Sequence, residues 1–175
     1  MKEQKYTSAR TCLKHMPVLY KRVASMRLWK KNTTNLDIGG GKYDIVTEYL
    51  KGKGVSNLVY DPYNRTAMHN YFVRCRAAKG VDTATLSCVL NVIKEKNSRA
   101  EALRMAWVHL KCGCYVFISV YPGNGTGKGR QTNGGTCWQN NRKIKGYLKE
   151  IRVFFPDAII RNGIIVGTKG VLNIK

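Results

Sequence analysis

Two stretches decide the fold: Leu36-Asp37-Ile38-Gly39-Gly40-Gly41 and, with Asp61 twenty positions after Gly41, Val59-Tyr60-Asp61-Pro62-Tyr63. In the first, a short apolar strand breaks into three glycines and hands over to a helix from Tyr43 to Leu50, which stops at Gly52 and Gly54. In the second, Asn57-Leu58-Val59-Tyr60 reads as a strand ending at Asp61-Pro62. Strand, glycine turn, helix and strand in so short a span form the unit of a parallel sheet, whose ligand lies at the carboxyl ends of the strands.

The pattern continues outward on both sides. Met16, Leu19, Tyr20, Val23 and Met26 share one face of a helix predicted from Leu13 to Leu28. After Asp61, Met68, Phe72 and Cys75 at i, i+4 and i+7 predict a helix ending near Gly80. Val81 to Leu86 is β-prone. Ser98 and Glu101 have capping-box spacing, and Leu103, Ala106, Trp107 and Leu110 give that helix its stripe. Tyr115 to Val120 is the most β-prone run. Ile144, Leu148, Ile151 and Phe155 predict a last helix stopped by Pro156, and Asn162-Gly163 centres a hairpin from Ile159 to Val166. The fold class is α/β: a Rossmann-like, mostly parallel sheet with helices on both faces and a C-terminal antiparallel hairpin at its edge. Nothing resembles a linker or repeat, so residues 1–175 read as a single domain, with 1–34 a basic helical extension and 122–141 a glycine-rich basic loop.

Charge is the outlying property. Thirty-one Lys and Arg against ten Asp and Glu give a net charge of +21, yet 43% of residues are hydrophobic, unlike a disordered basic tail. No apolar run reaches the ~18–20 residues of a membrane span, and Lys2-Glu3-Gln4-Lys5 is not a signal-peptide core. The expectation is a folded cytoplasmic protein that meets a polyanion and no membrane. The six cysteines include no C-x-x-C pair, and none of His15, His69 and His109 stands at zinc-finger spacing from them, so no metal site is expected.

The glycine turn favours some ligands over others. A dinucleotide pattern starting at Gly39 and Gly41 would need its third glycine where Asp44 stands. Asp37 places a carboxylate beside any bound pyrophosphate, and neither Gly41-Lys42-Tyr43 nor Gly127-Lys128-Gly129 completes a Walker A loop. Asp37, Asp44, Glu48 and Asp61 put four of the ten acids within 25 residues. A locally acidic pocket suits a ligand bearing an ammonium and a sulfonium, as S-adenosylmethionine does. The bland alternative is a tight turn with no ligand.

These residues resemble those of class I S-adenosylmethionine-dependent methyltransferases. Leu36 to Gly41 looks like their first motif and Val59 to Tyr63 like the acidic end of their second strand. Val81-Asp82 through Ser87-Cys88-Val89-Leu90-Asn91-Val92-Ile93 is similar to their fourth strand and the segment after it. The chain further resembles small methyltransferases associated with DNA phosphorothioation and their phage relatives, over about residues 35–168, in its Val-Leu-Asn-Val-Ile run and its Trp-Gln segment. The resemblance implies that Asp37, Gly39, Gly40 and Gly41 meet the methionine end, that Asp61 with Pro62 holds the ribose, and that Ser87 and Cys88 lie near the cofactor. Asp82 is a candidate for the adenine side, with a structural strand-opening Asp as the alternative. The short span from Thr66 to Gly80 leaves the family's third strand vestigial.

The substrate expectation rests on Pro122 to Lys149, with seven glycines, six Lys or Arg and no acid. Lys128, Arg130 and Gln131 would grip phosphates and Trp138 would stack on a base; a surface loop with Trp138 anchored in the core is the competing reading. Asn91, Tyr121 and Gln139 are candidate orienting groups. His15 is a conceivable base, against an ordinary helix histidine. The N-terminal 35 residues carry nine Lys or Arg against Glu3, and Arg22, Arg27, Lys30 and Lys31 would extend a phosphate-binding face. No amino-methylating Asn/Asp-Pro-Pro-aromatic motif and no Pro-Cys nucleophile is present, so no catalytic residue is named. The expected function is methylation of DNA or RNA. The rivals are a non-catalytic nucleic-acid-binding or anti-defence protein on the same fold, a protein methyltransferase with an acidic partner, and, less well supported, an NAD-dependent enzyme. Oligomeric state is left open.

Overall fold

The computed structural model describes residues 9–12 and 14–170. Six strands form one sheet in the order β2 (Val55–Tyr60), β1 (Thr33–Ile38), β3 (Val81–Ser87), β4 (Leu110–Ser119), β8 (Ile164–Thr168), β7 (Ile159–Arg161). The first four are parallel; β8 runs antiparallel to both β4 and β7. The antiparallel strand therefore lies inside the sheet, and its hairpin partner β7 forms the edge. Asn162 and Gly163 both take positive φ (48° and 68°), as a two-residue hairpin turn requires.

Alternation along the strands assigns the two faces. Leu36 and Ile38 enter the larger core with α3 (Ala67–Ala77), α4 (Lys96–His109) and α5 (Leu148–Ile151). Phe117, Ile164 and Val166 enter the other with α1 (Val18–Ser25) and α2 (Ile45–Lys51). Asn35 and Asp37 necessarily point to this second side. Asn35 is satisfied within the sheet: its amide donates to Asn57 Oδ1 (2.8 Å) and Thr85 Oγ1 (3.0 Å), and its carbonyl accepts from Thr83 (2.9 Å).

Several expectations are corrected. The first helix begins at Val18, because Pro17, with its φ at −66° and its ψ extended, stands at the N-cap and separates the helix from the preceding chain; the expected start at Leu13 lies outside the described residues. Its predicted face holds, with Leu19, Tyr20 and Val23 buried, so α1 is packed into the core rather than appended to it. The predicted α3 is present, and its apolar stripe lies outside: Asn70, Val73 and Ala77 are buried, while Met68, Phe72 and Cys75 face outward. Ser98 is buried inside α4, which starts two residues earlier and has no side-chain cap, and Leu110 belongs to the next strand. The last predicted helix is two adjoining pieces, a 3-10 turn at Ile144–Tyr147, which contains Gly146, and the single turn of α5. The glycine-rich stretch is a β-hairpin of β5 (Gly129–Thr132) and β6 (Cys137–Asn140). The span between β2 and β3 contains α3 and no strand, which leaves β2 as the second edge.

Candidate functional site

At the carboxyl ends of β1, β2 and β3 a cleft of about 190 Å³ opens beside the point where the strand order reverses. Its floor is Ile38 with Gly39, Gly40 and Gly41; Tyr60 to Asn64 form one wall and Ser87, Cys88 and Val89 another. Val92, Ile93 and Ala102 add an apolar surface. The glycines are required here. Gly39 and Gly41 have φ of 74° and 75°, and a Cβ on Gly39 would meet Val89 Cγ2 at 2.6 Å. The loop is tied down by the Gly39 amide donating to the Tyr60 carbonyl at 2.7 Å.

Asp61 is the organising acid. It is 2% exposed, and its carboxylate accepts four donors. Oδ1 takes the amides of Tyr63 and Asn64, both at 2.9 Å, and Oδ2 takes the Gly41 amide at 2.9 Å and the Asn64 side chain at 3.2 Å. Its own peptide is held from below by Asn70, whose Nδ2 donates to the Asp61 carbonyl (2.9 Å) and whose Oδ1 accepts from the Asp61 amide (3.0 Å). Asn70 was not singled out from sequence, although it shares a helical face with Val73 and Ala77. Asn70→Ala leaves the buried Asp61 amide without its partner, while the Asp61 carbonyl keeps the Arg65 amide (3.1 Å), and is expected to cost about 2 kcal/mol, measured by urea unfolding.

Asp37 lies behind the cleft, not in it. Its Oδ1 accepts from the Tyr20 hydroxyl (2.6 Å) and Thr85 Oγ1 (3.1 Å); Oδ2 is buried with no hydrogen-bond partner, facing Gly40, where a Cβ would meet it at 2.6 Å. Burial pushes its carboxyl up to about 6, against the hydrogen bonds from Tyr20 and Thr85 that pull the other way. The expected direct contact with the methionine end becomes a role as support for the loop. The acidic pocket is also reduced. Asp44 pairs with Arg65 at 2.6 Å and Glu48 is exposed on α2, so Asp61 is the acid lining the cleft among the described residues.

Asp82 is corrected outright. It stands at the amino end of β3, accepting from the Thr34 amide (2.8 Å) and pairing with Lys111 (2.7 Å), with the length of the strand between it and the cleft. Lys111 and the Thr34 amide hold its carboxyl below the usual value, against burial acting the other way. Pro62, Ser87 and Cys88 line the cleft, with Cys88 in the left-handed region at φ 58°.

The hairpin β5–β6 joins the cleft through its neighbour segment 89–93. The Asn140 amide donates to the Asn91 carbonyl (2.7 Å), Asn91 Nδ2 to Gln139 Oε1 (3.2 Å), and Gln139 Nε2 to the Tyr121 carbonyl (3.0 Å). The Tyr121 amide in turn donates to Asn91 Oδ1 (3.3 Å). Asn91 and Gln139 are therefore buried fasteners, while Tyr121 is 59% exposed. Trp138 is engaged: Nε1 donates to Asn140 (2.9 Å), Lys94 Nζ sits 4.8 Å from its ring centre, and the ring lies against Gly129. That contact pattern places Trp138 in the hairpin's own packing. Lys128, Arg130 and Gln131 are exposed on β5 or just before it. Arg22, expected on a phosphate-binding face, donates to the Gly163 carbonyl (2.8 Å).

Sequence reasoning missed the roof. Thr11, Cys12, His15 and Pro17, all preceding α1, line the cleft, and Cys12 Sγ both accepts from the Lys42 amide (3.4 Å) and packs against Gly41. His15 lies outside the helix and on the cleft. The signal was Pro17, which separates the preceding residues from α1. No metal-ligating cluster occurs among the described residues, and no described helix is long and apolar enough to cross a membrane.

No protein-family model matches the chain, and no curated protein is similar to it in sequence. Solved structures are similar in fold. A 1,6-didemethyltoxoflavin-N1-methyltransferase from Burkholderia thailandensis, with S-adenosylhomocysteine bound, is 13% identical with a TM-score of 0.63, over 87% of this chain and 76% of that one. A SAM-dependent methyltransferase from Methanosarcina mazei is 14% identical, TM-score 0.62, over 91% and 100%. A TehB-like SAM-dependent methyltransferase from Corynebacterium glutamicum is 13% identical, TM-score 0.54, over 89% of each. The chain has the fold of these SAM-dependent methyltransferases.

Proposed function

We propose that the protein is an S-adenosylmethionine-dependent methyltransferase whose substrate is nucleic acid. The observation that carries the reading is the cleft itself: a glycine loop without side chains, a buried acid at the end of the neighbouring strand and an apolar wall, meeting at the switch point of a methyltransferase fold. The residues fit the cofactor. Asp61 would accept the ribose hydroxyls, the Gly39–Gly41 backbone would face the methionine end, and Val89, Val92 and Ala102 would cover the purine. Because the four acceptor sites of Asp61 are filled, the long Asn64 contact at 3.2 Å is the one a hydroxyl would displace. When bound, the cofactor supplies an electrophilic methyl group on sulfur. The chain's part is alignment and exclusion of water, with His15 placed on the cleft as a candidate proton acceptor.

Nucleic acid is favoured over a small molecule by the net charge of +21 and by the exposed Lys128 and Arg130 on a hairpin fastened to the cleft wall. Resemblance to the phosphorothioation-associated and phage group makes DNA the first polymer to test. A second reading, a non-catalytic nucleic-acid-binding protein, is favoured by Cys12 seated against Gly41 where ligand would approach. Calorimetric titration of S-adenosylmethionine and S-adenosylhomocysteine, with NAD as control, separates the readings when combined with transfer of labelled methyl to DNA, RNA and protein. Adenosyl binding with a labelled polynucleotide supports the enzyme. Binding without turnover supports the second reading, and no binding by folded, ligand-free protein overturns both the cofactor and the reaction.

A further inference from the structure

We propose that the outward face of α3 is a platform for single-stranded nucleic acid. This rests on nucleic acid being the partner and is independent of methyl transfer. The inward face of the helix is filled by Asn70, Val73 and Ala77, yet Met68, Tyr71 and Phe72 remain 64%, 62% and 58% exposed on the other side. Helical spacing arranges this surface in two rows, Met68-Phe72-Arg76 and Tyr71-Cys75, with Lys79 in the turn that follows the helix. The Tyr71 and Phe72 rings meet edge to face, 5.9 Å between centres and 64° between planes. Each ring thus restrains the other while both stay accessible.

Charge selects the occupant. From residue 62 to residue 81 there is no Asp or Glu, while Arg65, Arg74, Arg76 and Lys79 are basic. Arg65 is committed to Asp44, and Arg74 lies on the flank beside Tyr60 and His109, which leaves exposed Arg76 and Lys79 at the far end of the two rows. Aromatic faces beside cations, without a carboxylate among them, match bases stacked beside phosphates. A duplex hides the base faces, so the fit is to a single strand. A second copy of this chain fits worse, because a two-fold contact across α3 would set its cations against their own equivalents.

Location supports a route to the cleft. Tyr63 and Asn64 line the cleft, and α3 begins three residues after Asn64. From Met68 to Cys75 the helix carries the platform about 10 Å away from that rim. A strand lying on α3 would present its next nucleotide at the cleft mouth.

Fluorescence anisotropy tests the assignment with a fluorescein-labelled single-stranded DNA longer than about 16 nucleotides and the matching duplex. Tyr71→Ala/Phe72→Ala is expected to weaken single-strand binding roughly 10- to 100-fold, spare the duplex and keep the salt slope. Arg76→Ala is expected to lower the single-strand slope by about 0.7. Equal loss on both probes, no loss in the double variant, or no binding by wild type overturns the platform. A wild-type dimer in sedimentation that the double variant converts to monomer overturns it in favour of a second copy. Thermal unfolding checks that these exposed substitutions leave the fold intact. Titration with S-adenosylhomocysteine reports separately on the cleft, so failure of the platform and failure of the methyltransferase reading are distinguishable.

Discussion

Asp61→Ala is expected to weaken S-adenosylhomocysteine binding by about 10- to 100-fold, the loss of a hydrogen bond to a charged acceptor at about 1.5–3 kcal/mol. The effect has two sources on the same carboxylate. One is the direct loss of an acceptor for the ribose. The other is loss of the strap between Gly41 and the turn at Tyr63 and Asn64, which fixes the loop before any ligand arrives. Asp61→Asn removes the charge and one of the two acceptor oxygens, so it keeps at most one side of that strap; a loss of about 10-fold, at the low end of the alanine range, is expected. Calorimetry on both variants is the measurement. An Asp61→Ala protein within about threefold of wild type, under 1 kcal/mol at about 1.4 kcal/mol per tenfold, would remove the acid from the site.

The second large effect concerns stability against pH. In the folded chain Asp37 holds its proton up to about 6, against an ordinary value of 3.8. Between those two values the folded state binds more protons than the unfolded state, so stability falls as pH rises through the interval. The difference, at about 1.36 kcal/mol per pH interval of one, comes to about 3 kcal/mol. Asp82 and Glu150 act in the opposite direction, because their partners hold them low and their contribution is lost on acidification. The comparison with Asp37→Asn isolates Asp37, since Asn keeps an acceptor for Tyr20 and Thr85. In urea-unfolding series, the variant is expected to gain on wild type as pH rises from about 4 to about 7.5, the interval that spans both values. A constant difference across that range would show that Asp37 titrates alike in the folded and the unfolded chain and that burial does not raise it.

How much of this was readable depends on what each residue needed. The glycine turn and Asp61 were legible because backbone conformation and strand-end position are local properties. Asp37 was placed at the right turn and on the wrong side of it: strand alternation sends it toward Tyr20, opposite to Ile38, and no local feature reveals that α1 waits there. The helix α3 was legible from its apolar stripe, but its buried side was not, because that side is anchored by Asn70, a polar residue recruited by the Asp61 backbone. Asp82 shares the sheet with the site and lies at the other end of its strand. The hairpin of β5 and β6 carried an Asn133-Gly134 turn signal, masked by the glycines around it. The roof formed by Thr11, Cys12, His15 and Pro17 depends on contacts about thirty residues apart, such as Cys12 with Lys42, beyond any periodicity.

The inboard place of β8 has a consequence for how the chain is made. Val116, Phe117 and Ile118 of β4 are fully buried in the finished sheet, and β8 covers their flank. Yet β4 ends at Ser119 and β8 begins at Ile164, 45 positions later (164 − 119 = 45). At about 5–20 residues per second of synthesis, that strand edge emerges roughly 2–9 s before its cover. A nascent chain therefore carries β4 without its antiparallel neighbour throughout that interval, the period in which its open edge is exposed to mispairing.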